Sequence, residues 1–210
     1  MTTPRPARLA ILLSGRGSNM LALAEAVRAG VLHGVAEIVV VFSNDPAAPG
    51  LDSAAALDLP TASLASKGRK REEFDREVVA VLQEYQPDFV VLAGYMRVLS
   101  PTFVRAFAGR IVNIHPADTH QHQGLHAYEW AFANHLAETK ITVHLVDEGL
   151  DTGPILAQRV VNLEEATTLA EVQRRGLAVE HVLYAETLAA LITNTILAAP
   201  AIPPIPTHTS

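Results

Sequence analysis

Four histidines lie within residues 113–126, in the segment NIHPADTHQHQGLH. Histidine titrates near neutral pH and is also the most common metal ligand. Asn113 and His115 are two residues apart at the end of an apolar run, so on a strand their side chains face the same side. An amide and an imidazole that point together can stabilise a developing oxyanion. The alternative is structural, with Asn113 bonded to main-chain groups and His115 buried in the core.

The other three histidines, His120, His122 and His126, form the pattern HxHxxxH. Two histidines on one face of an extended segment, with a third ligand nearby, are compatible with a zinc-type site. The segment is polar and lacks the helical spacing that would fix such ligands. We therefore favour a solvent-facing loop and expect no metal ion here.

Acidic residues cluster in a second segment, HLVDEGLDTGPI, which places Asp147, Glu148 and Asp151 around a glycine-rich turn. Acids in turns are usually solvated. A carboxylate held near an imidazole, however, raises the pKa of the imidazole and keeps it charged at neutral pH. His115 and Asp151 are candidates for such a pair.

A glycine loop, SGRGSN, occupies residues 14–19 between an apolar run and an alanine-rich segment. Glycines let a ligand approach the backbone, and the N–H groups at a helix start attract anions. Ser18 or Asn19 could cap the helix or contact a phosphate. The loop lacks the third glycine of a dinucleotide fingerprint and the lysine of a Walker loop. An ordinary tight turn is the competing interpretation.

The elements that must position these residues alternate between strand and helix. Apolar runs predict strands at residues 8–14, 36–43, 61–65, 88–94, 109–115, 140–147 and 153–161. Apolar spacing and composition predict helices at residues 18–30, 47–59, 71–86 and about 169–191. This order indicates an α/β fold with a mainly parallel, doubly wound sheet and a mixed C-terminal extension. Ligands in such sheets bind beyond the carboxyl ends of the strands.

Composition excludes several kinds of site and of binding partner. The chain has 210 residues, a formal net charge of −6 and no cysteine. Thiolate metal sites and disulfides are therefore excluded, and a reducing cytoplasm is the expected location. The one short basic run, KGRKR at residues 67–71, is too small a footprint for nucleic acid. We expect small-molecule substrates, no nucleic-acid or membrane partner, and a monomer or homodimer. Residues 1–195 are expected to form one domain, followed by a disordered proline-rich tail at 196–210.

Five segments, taken together and in order, resemble the phosphoribosylglycinamide formyltransferases, a folate-dependent family of purine synthesis. They are ILLSGRGSN, VVLAGYMRVLS, NIHP, GLH and TVHLVDEGLDTGPI. The similarity covers about residues 7–190. It implies a Rossmann-like formyltransferase fold.

The resemblance also implies roles for individual residues. The implied catalytic residues are Asn113, His115 and Asp151. The implied ribonucleotide contacts are Gly17, Ser18 and Asn19 for the phosphate and Glu180 for the ribose. The implied folate contacts are Met96, Arg97, Val98, Leu99 and Asp147, with Arg71 on the folate or substrate side and His126 in support.

The implied reaction moves a formyl group from 10-formyltetrahydrofolate, the co-substrate, to the amine of glycinamide ribonucleotide without a metal. Asn113 would donate a hydrogen bond to the oxyanion, and His115, held as an imidazolium by Asp151, would supply positive charge.

The chain departs from the family pattern at two places. ADTHQHQ replaces the usual SLLP-containing loop after NIHP, and Lys140 and Ile141 stand where a glycine and a threonine are common. Four alternatives remain open: a transferase with another amine acceptor, a formyltetrahydrofolate hydrolase, a metal hydrolase that uses the histidine loop, or a nucleotide-binding module without catalysis.

Overall fold

A computed structural model describes residues 5–198 of the chain. The strands are β1 (Ala7–Leu13), β2 (Ala36–Ser43), β3 (Thr61–Ser63), β4 (Phe89–Leu92), β5 (Ile111–His115), β6 (Glu138–Leu145) and β7 (Ile155–Asn162). The helices are α1 (Ser18–Ala29), α2 (Pro49–Ala55), α3 (Arg71–Glu84), α4 (Pro101–Ala106), α5 (Ala127–Ala133) and α6 (Leu169–Ala198).

The strands form one sheet in the order β3-β2-β1-β4-β5-β6-β7. Neighbours from β3 to β5 are parallel, and β5–β6 and β6–β7 are antiparallel. A short turn joins β6 to β7, and such a connection can produce only antiparallel neighbours because parallel strands need a longer crossover. The predicted mainly parallel sheet with a mixed C-terminal extension is confirmed.

Alternate residues of the strands supply two separate cores, one on each face of the sheet. In β1, Leu9, Ile11 and Leu13 pack on the face covered by α1, α5 and α6. Ala10 and Leu12 point to the opposite face, which α3 and α4 cover. A continuous apolar run is therefore required in a strand that is buried on both sides.

Two short helices, α4 and α5, were not predicted. For α4 the signal was present, since Ser100 stands at the N-cap position before Pro101 and its hydroxyl accepts a hydrogen bond from the Phe103 N–H. For α5 no such signal exists, because the helix follows His126, which has a φ of +64° and provides no side-chain cap.

Helix α6 is longer than predicted and continues to Ala198. It also has the length and composition of a membrane-spanning helix, and within residues 5–198 no other helix does. Leu183, Tyr184 and Leu188 of α6 lie in the core against the sheet, the packing of a core helix. The predicted tail lies outside the described residues from position 199 onward. The domain boundary at residue 195 stays a prediction.

Candidate active site

A cleft of about 310 Å³ opens beyond the carboxyl ends of β4 and β5, beside the turn of residues 146–154 that joins β6 to β7. We call this segment the carboxylate turn. The predicted site residues that line the cleft are Met96, Arg97, Val98, Leu99, Asn113, His115, His126, Asp147 and Asp151. The remaining predicted residues, Gly17, Ser18, Asn19, Arg71 and Glu180, lie outside this lining. The cleft is at the sheet edge where open α/β folds bind ligands.

Asn113 and His144 face each other across the antiparallel pair β5–β6. The Asn113 amide lies 3.1 Å from Nε2 of His144 and donates a longer hydrogen bond of 3.4 Å to Oδ1 of Asp151. Nδ1 of His144 lies 2.8 Å from the Leu145 carbonyl, which can only accept. Nδ1 of His144 therefore carries a proton, and its Nε2 lies 3.1 Å from the Asn113 amide and 3.5 Å from Oδ1 of Asp151.

Asp151 joins the carboxylate turn to the strands. Its φ is +52°, a left-handed conformation that aspartate adopts more readily than most residues. Oδ2 accepts a hydrogen bond of 2.8 Å from the Gly124 N–H and lies 3.6 Å from Nδ1 of His115. Burial raises the pKa of Asp151, but the contacts with His144, the Gly124 N–H and His115 lower it more. The net pKa is below the ordinary value, so Asp151 is ionised at neutral pH.

His115 is buried at the end of β5. Its Nε2 lies 3.0 Å from the carbonyl oxygen of His122. A carbonyl accepts and cannot donate, so Nε2 carries a proton and donates it. In the neutral imidazole the other nitrogen, Nδ1, then has a free lone pair on the side of Asp151.

The expectation that His115 is held as an imidazolium needs correction. Burial lowers the pKa of His115 below its ordinary value of 6.5. The charge of Asp151 and the hydrogen bond to His122 raise this pKa, but they do not overcome burial. The sequence suggested the Asp151 contribution and gave no measure of how deeply the end of β5 is buried. At neutral pH the neutral imidazole is therefore the favoured form.

The other histidines of residues 113–126 lie in different environments. The His122 ring stacks on Trp130, with ring centroids 4.9 Å apart, and its Nε2 lies 3.0 Å from the Leu125 carbonyl. His122 is thus packed into the loop and is not simply solvent-facing as expected. The His126 side chain is 76% exposed and lies at the rim of the cleft. Within residues 5–198 no group of three or more histidine, aspartate or glutamate side chains is arranged to hold a metal ion.

The glycine loop turns at Gly17, a position where any other residue would be strained. Gly17 has a φ of +77°, and a Cβ there would lie 3.2 Å from Cα of Gly50. Gly17 is the N-cap residue of α1 and offers no side chain, so the expected cap by Ser18 or Asn19 is wrong. The first N–H groups of α1 have no side-chain cap.

Asn19 and Glu180 form a buried group between α1 and α6. The Asn19 amide donates a hydrogen bond of 2.6 Å to Glu180, and the Tyr128 hydroxyl donates to the other carboxylate oxygen. Glu180 thus links α1, α5 and α6 in this structure. Its contact with a ribose stays a prediction.

The segment Met96–Leu99 follows β4 and is held by the glycine loop, since the Ser14 hydroxyl accepts a hydrogen bond of 2.8 Å from the Met96 N–H. Met96 and Val98 are exposed in the cleft. The Arg97 guanidinium lies over the Phe74 ring of α3, 4.6 Å from the ring centroid. Arg71, at the start of α3, is exposed and is not one of the residues that line the cleft.

Sequence reasoning missed His144. The signal was a histidine inside the apolar strand segment TVHLV, which is unusual unless its ring is hydrogen-bonded. The pairing of β5 with β6, and the register that sets His144 opposite Asn113, could not be deduced from that segment alone.

Comparison with known proteins shows the family to which the chain is similar. A family profile described as formyl transferase matches residues 7–188. The chain is 38% identical over 201 residues to the trifunctional purine biosynthetic protein adenosine-3 of Drosophila melanogaster, which is 95% of this chain but 15% of the fly protein. It is also 38% identical over 177 residues to the phosphoribosylglycinamide formyltransferase of Escherichia coli, 84% of this chain and 82% of that protein.

Among solved structures, the phosphoribosylglycinamide formyltransferase of Bacillus halodurans superposes with a TM-score of 0.84 at 42% identity, over 90% of this chain and 96% of that one. The chain spans less than a fifth of the length of the trifunctional relatives and most of the length of the bacterial ones. The family profile covers most of the chain, and the sheet is the α/β fold of the matching solved structures. The chain belongs to the formyl transferase family.

Proposed function

We propose that this chain transfers the formyl group of 10-formyltetrahydrofolate to the primary amine of glycinamide ribonucleotide, a step of de novo purine biosynthesis. The bacterial relatives that it matches over most of their length carry the name of this activity. The observation that carries the proposal is the convergence of Asn113, His115 and Asp151 at one end of the cleft. We call these three residues the catalytic cluster.

In the proposed first step the amine nitrogen attacks the formyl carbon, and the carbonyl electron pair moves to oxygen. The attacking nitrogen becomes positively charged and must lose a proton. Nδ1 of neutral His115 is free to take it, because Nε2–H is committed to the His122 carbonyl. Burial lowers the pKa of His115 below its ordinary value of 6.5, so the imidazole is available as a base at neutral pH.

Asp151 supports the imidazolium that this transfer creates. Its Oδ2 lies 3.6 Å from Nδ1 of His115, and its lowered pKa keeps it charged. In the second step the tetrahedral intermediate collapses, the carbon–nitrogen bond to the folate breaks, and His115 returns its proton to the leaving nitrogen. The imidazole is neutral again, so protons and electron pairs balance over the cycle.

Asn113 is the proposed hydrogen-bond donor to the oxyanion. Its amide hydrogens are directed at His144 and, over the longer distance of 3.4 Å, at Asp151. We infer that the oxyanion takes over the weaker of these bonds, while His144 keeps the amide in position. The positive charge on protonated His115 adds to this stabilisation.

The two substrates would approach from different sides. Met96, Val98 and the carboxylate turn offer an apolar wall for the folate, since Met96, Val98 and Leu150 are exposed there. The uncapped start of α1, at Gly17, Ser18 and Asn19, would bind the ribonucleotide phosphate. Glu180 and Arg71 are retained as proposed contacts to the ribose and to the folate or substrate. A cytoplasmic location, a monomer or homodimer, and the absence of nucleic-acid or membrane partners stay predictions.

One observation favours a second candidate, a transferase with a different amine acceptor. The segment ADTHQHQ, which departs from the family pattern, contributes the His122 carbonyl to the catalytic histidine. A changed loop at this point can change which amine is accepted.

The test is formyl transfer by the purified chain from 10-formyltetrahydrofolate, with and without glycinamide ribonucleotide and with and without a chelator. We expect turnover that requires the ribonucleotide and is unaffected by the chelator. Deformylation of the folate in the absence of the ribonucleotide would indicate a hydrolase instead. Turnover only with other amines would indicate the second candidate. Loss of turnover with the chelator would contradict the metal-free mechanism.

A further inference from the structure

The histidine loop (residues 117–123) holds the proton on one nitrogen of His115. The His122 carbonyl accepts the hydrogen bond from Nε2 of His115 at 3.0 Å. The rings of His115 and His122 are nearly parallel, at 17°, with centroids 6.2 Å apart, and the His122 ring also stacks on Trp130. The position of His122 therefore decides which nitrogen of His115 faces Asp151.

Asp118 organises the turn that places His122. Its main-chain carbonyl accepts hydrogen bonds from the N–H groups of Gln121 and His122, at 2.9 and 3.0 Å. Its side-chain Oδ1 accepts from the His120 N–H at 3.1 Å. Asp118 is buried, so its charge needs a compensating partner.

Lys140 of β6 is that partner, with Nζ 2.8 Å from Oδ2 of Asp118. Thr142, two residues further along β6 and on the same face, donates a hydrogen bond of 2.7 Å to the Ala117 carbonyl. Gln158 of β7, paired with Thr142 in the sheet, donates to the Thr142 hydroxyl at 2.9 Å and reaches Asp118 at 3.5 Å. These contacts, which we call the polar ladder, attach the loop to the sheet.

The two departures from the family pattern meet in this ladder. Asp118 belongs to ADTHQHQ, and Lys140 stands where a glycine is common. A glycine at position 140 has no side chain to neutralise an aspartate, so the two residues depend on each other. In the same strand Lys140, Thr142 and His144 lie on one face, with His144 at the catalytic cluster and Lys140 at the loop.

We propose that the Asp118–Lys140 ion pair is a positioning device for the catalytic base, which holds the His122 carbonyl against Nε2 of His115 and so keeps the Nδ1 lone pair directed at Asp151 and the cleft. The role in catalysis rests on the proposed function, whereas the effect on His115 itself does not. Neither Asp118 nor Lys140 needs to touch a substrate.

The test uses two readouts on Lys140→Met: the tautomer of His115, from nitrogen-15 shifts of the imidazole, and the steady-state constants of formyl transfer. The His115 signals are assigned by their absence from His115→Ala. We expect wild type to be protonated at Nε2 and Lys140→Met to show a mixture of tautomers. The value of kcat should fall about 10- to 100-fold, the cost of misplacing a reacting group by about 1 Å. KM for the ribonucleotide should change less than about 2-fold, because binding contacts are retained.

Lys140→Met leaves a buried carboxylate unpaired and can fail to fold. The double variant Asp118→Asn/Lys140→Met avoids this, since it removes both charges and keeps an oxygen for the His120 N–H. It should show the same loss of tautomer selection. Lys140→Arg should restore both readouts towards wild type. Arg159→Met, which breaks an exposed ion pair between β7 and α6, is the matched control and should leave both unchanged.

An unchanged His115 tautomer and unchanged kcat in the double variant would overturn the proposal, and so would equal effects of Lys140→Arg and Lys140→Met. A wild-type chain without formyl transfer to the ribonucleotide would contradict the proposed function. A tautomer change in the variants of such a chain would still support the positioning role.

Discussion

At the scale of single residues, the chemistry depends on which protons the buried polar side chains hold. His115 has two carbonyl or carboxylate neighbours, the His122 oxygen at 3.0 Å and Asp151 at 3.6 Å. In the neutral imidazole only the His122 carbonyl accepts a hydrogen bond from the ring. The interaction with Asp151 becomes strong once Nδ1 is protonated. Asp151 therefore contributes more to the transition state than to the resting site, which is the requirement for rate acceleration.

Asp151→Asn tests this division. Loss of the negative charge should lower kcat about 100- to 10,000-fold, the range that general acid–base catalysis contributes. Asp151 raises the pKa of His115, so its removal lowers that pKa further. The base form of His115 is lost as pH falls through its pKa, and the acid limb of kcat/KM should therefore move to lower pH. Steady-state assays across pH measure both effects.

Glu148→Gln removes a charge from the same carboxylate turn and is the matched control. Glu148 is exposed and pairs with Arg105 of α4, so loss of its charge should leave the acid limb of kcat/KM at the wild-type pH. The role of Asp151 beside His115 would be contradicted if the acid limb of kcat/KM in Asp151→Asn lay at the wild-type pH or at a higher pH.

At the scale of elements, the site depends on loops whose backbones are set by a few residues. The glycine loop turns through Gly17 at a φ of +77°, close to Gly50, and delivers an uncapped start of α1. The carboxylate turn presents Asp151 from a left-handed conformation. Strand pairing supplies the rest, because the β5–β6 register sets Asn113 opposite His144.

Gly17→Ala should weaken binding of the ribonucleotide. An alanine at positive φ costs about 1–2 kcal/mol, and its Cβ would lie 3.2 Å from both Gly50 and Leu13. We expect KM for the ribonucleotide to rise about 10-fold, as the start of α1 shifts, with a smaller change in KM for the folate. Initial-rate kinetics with each substrate varied in turn measure this.

Gly68→Ala provides the comparison, because Gly68 has the same φ of +77° and nothing within 4 Å of the added Cβ. It should cost similar stability in a denaturant titration without a change in either KM. Equal KM values for Gly17→Ala and wild type would argue against a phosphate site at the start of α1.

At the scale of the whole molecule, the sheet order brings together segments that are far apart in the sequence. The loop after β1, the segment after β4, the end of β5 and the carboxylate turn all reach one edge of the sheet. Helix α6 stabilises this edge, since the buried Tyr184 hydroxyl is hydrogen-bonded to the carbonyls of Leu92 in β4 and Val112 in β5.

Much of this arrangement could be predicted from the sequence, and the remainder depended on tertiary contacts. Apolar runs fixed the strands within a few residues, and NIHP pointed correctly to Asn113 and His115 on one strand face. The lowered pKa of His115 was not accessible, because burial depends on the packing of distant segments. The Asp118–Lys140 contact was equally hidden, because it joins a loop to a strand 22 residues away.

The most direct test of the account is the pH dependence of kcat/KM for formyl transfer to glycinamide ribonucleotide, measured in wild type and in His115→Ala. Titration of the substrate amine is common to both proteins, so the difference isolates His115. We predict that wild type shows an acid limb with a midpoint below 6.5 and that His115→Ala lacks this limb. The variant should be at least about 100-fold slower at neutral pH. A variant that retains both the limb and a rate near wild type would contradict the central role of His115.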